Sequence, residues 1–131
     1  MCIRDSLAAT LTQIDYHREM ALVAVGPGLP GKAEMYGIVN LSADPNNDRA
    51  EYSILVDRAM MRLGLGNLLM QRIIAYARER GIGEIHGEVL QENKSMLQLD
   101  RSLGFSIHAD LNDPGLKHVI LKLHCIASSA G

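Results

Sequence analysis

The stretch Arg62-Leu63-Gly64-Leu65-Gly66-Asn67 constrains this chain more than any other. It lies between an apolar run, Tyr52 to Val56, and an amphipathic segment from about Asn67 to Arg80. The run before it reads as a strand and the segment after it as a helix. Two glycines one residue apart let backbone amides crowd around a bound anion without Cβ obstruction. The helix points its unpaired N–H groups and the positive end of its dipole at the same spot. Strand, glycine turn and helix together describe a pyrophosphate cradle. A tight strand-to-helix turn with no ligand carries the same signature, and G-x-G alone does not separate the two.

The rest of the chain surrounds that unit with strands. Glu19 to Val25 and Met35 to Ser42 read as a hairpin around the turn cluster Gly26 to Lys32. Glu51 to Val56 forms a third antiparallel strand after the turn Asp44 to Asp48. The helix after the glycines places Leu69, Ile73 and Ala77 on one face, with Met70 and Ile74 beside them. Glu84 to Leu90 is a strand, and Asn93 opens a helix that ends before Gly104. Phe105 to Ala109 and Lys117 to Leu123 are closing strands. The pattern predicts an α+β domain: a mixed, mostly antiparallel sheet with helices on both faces.

A chain of 131 residues implies one domain with a real core. A net charge of −2 gives no electrostatic reason to expect nucleic acid or an anionic membrane as partner. No apolar run approaches the ~20 residues that cross a bilayer. Cys2 and Cys125 lack metal-ligand spacing, and no metal site is expected. A reducing, cytoplasmic setting is the plain reading.

A second segment, Glu92 to Phe105 (ENKSMLQLDRSLGF), gives the glycine turn its weight. The two together resemble the GNAT superfamily of acyl-CoA-dependent N-acyltransferases. The first is similar to that family's (Q/R)-x-x-G-x-(G/A) loop. The second is similar to its N-x-x-(A)-x-x-L-x-x-x-x-G-F helix, with Asn93, Leu99, Gly104 and Phe105 in register. A narrower likeness, carried by Thr12 to Ala21 and Leu41 to Pro45, is to the acetyltransferase domain of Pat-type bacterial protein lysine acetyltransferases. That domain often follows a large acyl-CoA synthetase-like region, so the chain is expected to belong to a larger protein. The resemblance also implies a GNAT-like domain over 7–125 that lacks the usual first strand and two helices. Residues 1–6 read as a non-native leader and 126–131 as a frayed tail.

The resemblance further implies acetyl-CoA as acyl donor and site residues that match motif positions. Met61, Arg62, Leu63, Gly64, Leu65 and Gly66 form the pyrophosphate cradle, although the family's usual Gln or Arg is Met61 here. Leu55 and Val56 sit where the family's splayed strand pairs its main chain with pantetheine. Asn93 matches the residue that contacts the pantetheine arm, and a helix N-cap explains it equally well. Glu51 stands where several members carry a glutamate acting through water as general base. A lysine ammonium, pKa ~10.4, is not nucleophilic until deprotonated, and a carboxylate in a partly apolar cleft suits that task. Many members place a tyrosine general acid where this chain has Asp100, which argues against that acid; Tyr52 is the other candidate. The expected activity is acetyl transfer to an amine, most simply a protein lysine such as one on a metabolic enzyme. The rivals are a non-catalytic acyl-CoA-binding regulatory module and a small-amine acetyltransferase.

Overall fold

The computed structural model of the chain describes residues 10–26 and 35–123. Its elements follow in the order β1 (Thr10–Asp15), β2 (Glu19–Val25), β3 (Met35–Ala43), β4 (Arg49–Val56), α1 (Arg58–Arg62), α2 (Leu65–Glu79), β5 (Glu84–Leu90), α3 (Lys94–Ser102), β6 (Ser106–Ala109) and β7 (Leu116–Lys122). The strands form one sheet in the order β1-β2-β3-β4-β5-β7-β6. Among the described strands only β4 and β5 pair in parallel. Helix α2 connects them, and such a crossover is what a parallel pair requires. The expected α+β mixed, mostly antiparallel sheet is therefore observed.

Period-two alternation decides which face is buried. Met20 and Leu22 pair with Leu41 and Val39, Leu41 pairs in turn with Tyr52, and Ala24 and Ala50 lie on the same buried face. Ile85, Val89, Val119 and Leu121 continue the same buried face. Helix α2 covers it with Leu65, Leu69, Met70, Ile73, Ile74 and Ala77, the positions that the 3.6-residue period selects. Helix α3 packs on that face too, since its Asp100 bonds the inward-facing Tyr52. The opposite face of β4 presents Glu51, Ser53 and Leu55, all exposed. Among the described residues, then, the helices occupy one face of the sheet and not both.

Two elements escape the periodicity argument. Strand β1 lies at the sheet edge with residues 12–15 exposed, so it shows no apolar alternation. Helix α1 is one turn long and buries no residue; the Asp57 side chain caps it by accepting from the Ala59 N–H at 2.9 Å. The leader 1–6, the tail 126–131, Cys2, Cys125 and most of the turn after Gly26 lie outside the described residues. No helix among the described residues is long and apolar enough to cross a membrane.

Candidate active site

Strands β4 and β5 pair at three positions only, ending at Glu51 opposite His86. Beyond that point β4 runs on to Val56 and β5 to Leu90 without bonding one another. The β5-facing edge of β4 is thus left for another partner. A cleft of about 950 Å³ opens beside it. Ile54, Leu55 and Val56 form one wall, and Asn93, Lys94, Ser95, Met96, Gln98 and Leu99 form the other.

Helix α2 ends its first turn at this cleft. Gly64 precedes it at φ 90°, a left-handed conformation that a Cβ disfavours. The amides of Leu65, Gly66 and Asn67 open the helix and have no intrahelical acceptor. They add partial positive charge where Gly64 and Asn67 line the cleft. Gly66 serves a different purpose. A Cβ there would collide with Sδ of Met61, so its bareness lets α1 fold down against α2. Arg58, Arg62 and Lys94 bring three cations to the same rim, against a single carboxylate, Glu92. Backbone amides and cations around one cleft suit an anionic ligand such as a phosphate-bearing nucleotide.

The residues expected at the site divide into three groups. Leu55, Val56, Met61, Arg62, Gly64 and Asn93 line the cleft together. Leu63, Leu65 and Gly66 do not: Leu65 is wholly buried in the core, Gly66 is buried under Met61, and Leu63 packs against the core. Their side chains pack inward, while the backbone N–H groups of Leu65 and Gly66, through which the cradle is expected to act, belong to the open first turn of α2. Met61 and Arg62 belong to the last turn of α1, and Gly64 bends the chain between the two helices. Glu51 stands apart, exposed on the open face and outside the cleft lining. Register places it beside Ser42 on one side and His86 on the other. Glu19 lies beyond Ser42 in the same row, about 10 Å from Glu51 by strand spacing.

Asn93 takes the helix-cap role and stands at the cleft as well. It caps α3, accepting from the Met96 N–H at 3.2 Å, and it lines the cleft. Arg58 and Lys94 were not anticipated from the sequence. A cation count near the glycine turn would have found Arg58, whereas Lys94 reaches the cleft only because α3 folds back to it.

Asp100 and Tyr52, the two positions weighed for a general acid, meet inside the protein. The Tyr52 hydroxyl donates to Asp100 Oδ2 at 2.7 Å, and neither residue lines the cleft. Burial pushes the Asp100 carboxyl up to about 6, partly offset by that hydrogen bond. Burial, with the Asp100 charge and hydrogen bond added, pushes the Tyr52 phenol far above its ordinary range. A phenol so reluctant to ionise and sealed from the cleft is not placed to protonate a leaving group. Elsewhere, His118 bonds Asp110 at 2.7 Å, which holds the Asp110 carboxyl below its usual range; His124 lies outside the described residues. Among the described residues no group of three or more His, Cys, Asp and Glu is placed to hold a metal ion.

The profile of the Acetyltransferase (GNAT) family matches residues 6–105 of this sequence. The chain belongs to that family. Solved structures share the fold. The GNAT domain of PAT from S. lividans is 26% identical with a TM-score of 0.68, the match covering 86% of this chain and 65% of that one. This GNAT chain therefore spans just under two thirds of the length of that neighbour. A structure of yncA from Salmonella typhimurium with its cofactor acetyl-CoA is 25% identical at a TM-score of 0.64, covering 80% of this chain and 65% of that one. A Klebsiella pneumoniae structure assigned as an acyl-CoA N-acyltransferase matches at 16% identity and a TM-score of 0.73, covering 88% of this chain and 97% of that one. At that identity the likeness speaks for the GNAT fold alone.

Proposed function

We propose that this GNAT domain transfers an acetyl group from acetyl-CoA to an amine, and that the amine is a protein lysine side chain. The observation that carries the first half is the cleft itself: an unpaired β4 edge, the Gly64 turn, the α2 N-terminus and three cations converge on one opening. Support for the second half is the resemblance to Pat-type sequences, together with the similarity to the S. lividans PAT domain.

In this reading the acceptor amine approaches over the open face, where Glu51 and Glu19 flank Ser42. The carboxylates attract the ammonium, and Glu51 takes its proton through a water. The neutral amine attacks the thioester carbonyl; the C–N bond forms, the C–S bond breaks, CoA leaves as thiolate, and the second N–H proton passes from the tetrahedral intermediate's nitrogen to solvent water. No side-chain acid is assigned to that thiolate, because Asp100 and Tyr52 are sealed away from the cleft. Glu51 is exposed here, so the desolvated surroundings expected of a base are not supplied by the described residues alone.

The test pairs a binding measurement with a turnover measurement. Acetyl-CoA should raise the unfolding temperature saturably, whereas free adenosine should not. At 100 times the dissociation constant the gain is about 2.7 kcal/mol. Lysine peptides should then be acetylated, and Glu51→Gln should bind acetyl-CoA normally but turn over slowly. Binding without acetylation of any peptide or small amine would support the regulatory-module reading, which the burial of Asp100 favours.

A further inference from the structure

Asp100 is the single charged side chain buried among the described residues, with no exposed surface. One oxygen, Oδ2, accepts from the Tyr52 hydroxyl at 2.7 Å, and Oδ1 has no hydrogen-bond partner. An ionisable group held this way opposes folding, and an apolar pair of similar volume commonly serves better. Its value is therefore to be sought in geometry.

Helix α3 has nine residues, and only two of them, Met96 and Asp100, are buried. They lie one turn apart on the same face, so they fix how the helix sits. Met96 also lines the cleft, and the adjoining residues Asn93, Gln98 and Leu99 make up the cleft wall. Tyr52 lies two residues before Ile54, where the facing wall begins. The Tyr52–Asp100 bond thus joins the two elements that carry the walls, β4 and α3. Surrounding contacts hold it in place. The Phe105 ring meets Tyr52 edge-on at 5.7 Å, and the Phe105 N–H donates to the Asp100 carbonyl at 2.9 Å. Apolar packing tolerates sliding and repacking, whereas a short bond between two buried polar atoms specifies one separation.

We propose that the Tyr52–Asp100 hydrogen bond is a strut that sets the separation of α3 from β4, making both positioning residues for the cofactor cleft. The inference rests on the reading of that cleft as the acetyl-CoA site. The strut acts through the walls; neither side chain touches the ligand.

The experiment compares three variants with the wild-type chain in two readouts. The double variant Tyr52→Phe with Asp100→Leu removes both polar groups and leaves an apolar contact. Asp100→Asn keeps an acceptor for the tyrosine hydroxyl, and Tyr52→Phe alone serves if the double variant does not fold. Amide hydrogen exchange of the free protein reads the strut directly. The α3 amides of Leu97 and Leu103 should exchange at least fivefold faster in the double variant, while those in the middle of α2 stay unchanged. Acetyl-CoA affinity should fall at least fivefold in that variant and stay within twofold in Asp100→Asn. Unchanged α3 exchange together with unchanged affinity in the double variant would overturn the strut. Faster α3 exchange in a protein whose wild type binds no acetyl-CoA would keep the strut and remove the cofactor reading.

Discussion

A Cβ placed on Gly87 would stand 2.5 Å from Cε2 of Tyr52, so the tyrosine ring occupies the space a side chain would need. Gly87 follows His86, the last β5 residue that pairs with β4. The ring is therefore seated where the two strands part. It is ring carbon, not a flexible chain end, that a Cβ would meet. Gly87→Ala should destabilise the fold by about 1–3 kcal/mol, the usual range for overpacking. Urea unfolding measures this, and a change within 0.5 kcal/mol would mean the ring is free to move aside.

The buried Asp100 carboxyl makes stability depend on pH. Burial pushes it up to about 6 from 3.8 in the unfolded chain, and Tyr52 is the titratable group bonded to it. The folded state then holds a proton that the unfolded state releases. This contribution is fully present below the unfolded value and is lost as pH rises through about 6. Its size is roughly 3 kcal/mol. The stability of the wild type relative to Asp100→Asn should fall by about that amount between acid and neutral pH. A difference that stays flat across the range would count against a disfavoured charge at this site.

The two glycines at the head of α2 should respond differently to alanine. Gly64, at φ 90°, should lose about 1–2 kcal/mol of stability through backbone strain. Gly66 lies inside the helix, where alanine is intrinsically better by about 1 kcal/mol. Its Cβ would displace the end of Met61, which lines the cleft. Gly66→Ala should therefore leave stability nearly level but weaken acetyl-CoA binding several-fold. Calorimetric titration beside thermal unfolding separates the two effects.

Arg58, Arg62 and Lys94 should each contribute modestly to holding an anionic ligand. Replacing any one by Ala should weaken acetyl-CoA binding by about two- to fivefold, the scale of an exposed charge pair. The loss should shrink as salt is raised, because screening removes the same attraction in the wild type. Affinities measured at low and high ionic strength check both statements. A loss that does not depend on salt would point to packing and not to charge.

Some of this was written plainly in the sequence. The buried stripe of α2 appears as Leu69, Ile73 and Ala77, and the strands β2, β3 and β5 appear within a residue or two of their ends. Gly64 and Asn93 were also legible, because a left-handed turn and a helix cap each demand particular residue types. Strand β1 and helix α1 were not, since an edge strand and a single exposed turn leave no apolar period.

Local chemistry thus determined the elements and the glycine turn, because periodicity and backbone preference act between neighbours in the chain. Tertiary structure alone decided the rest. Parallel pairing that stops at Glu51 and His86 opens the cleft, and a tyrosine ring and a glycine 35 residues apart meet at that stop. Leu65 was read only as part of the glycine turn, and the tertiary structure places its side chain in the core. Asp100 was read as standing where a tyrosine acid is usual, and only the approach of Tyr52, 48 residues earlier, gives it a partner. Burial and long-range contact set these outcomes, and neither leaves a mark on the residues nearby in sequence.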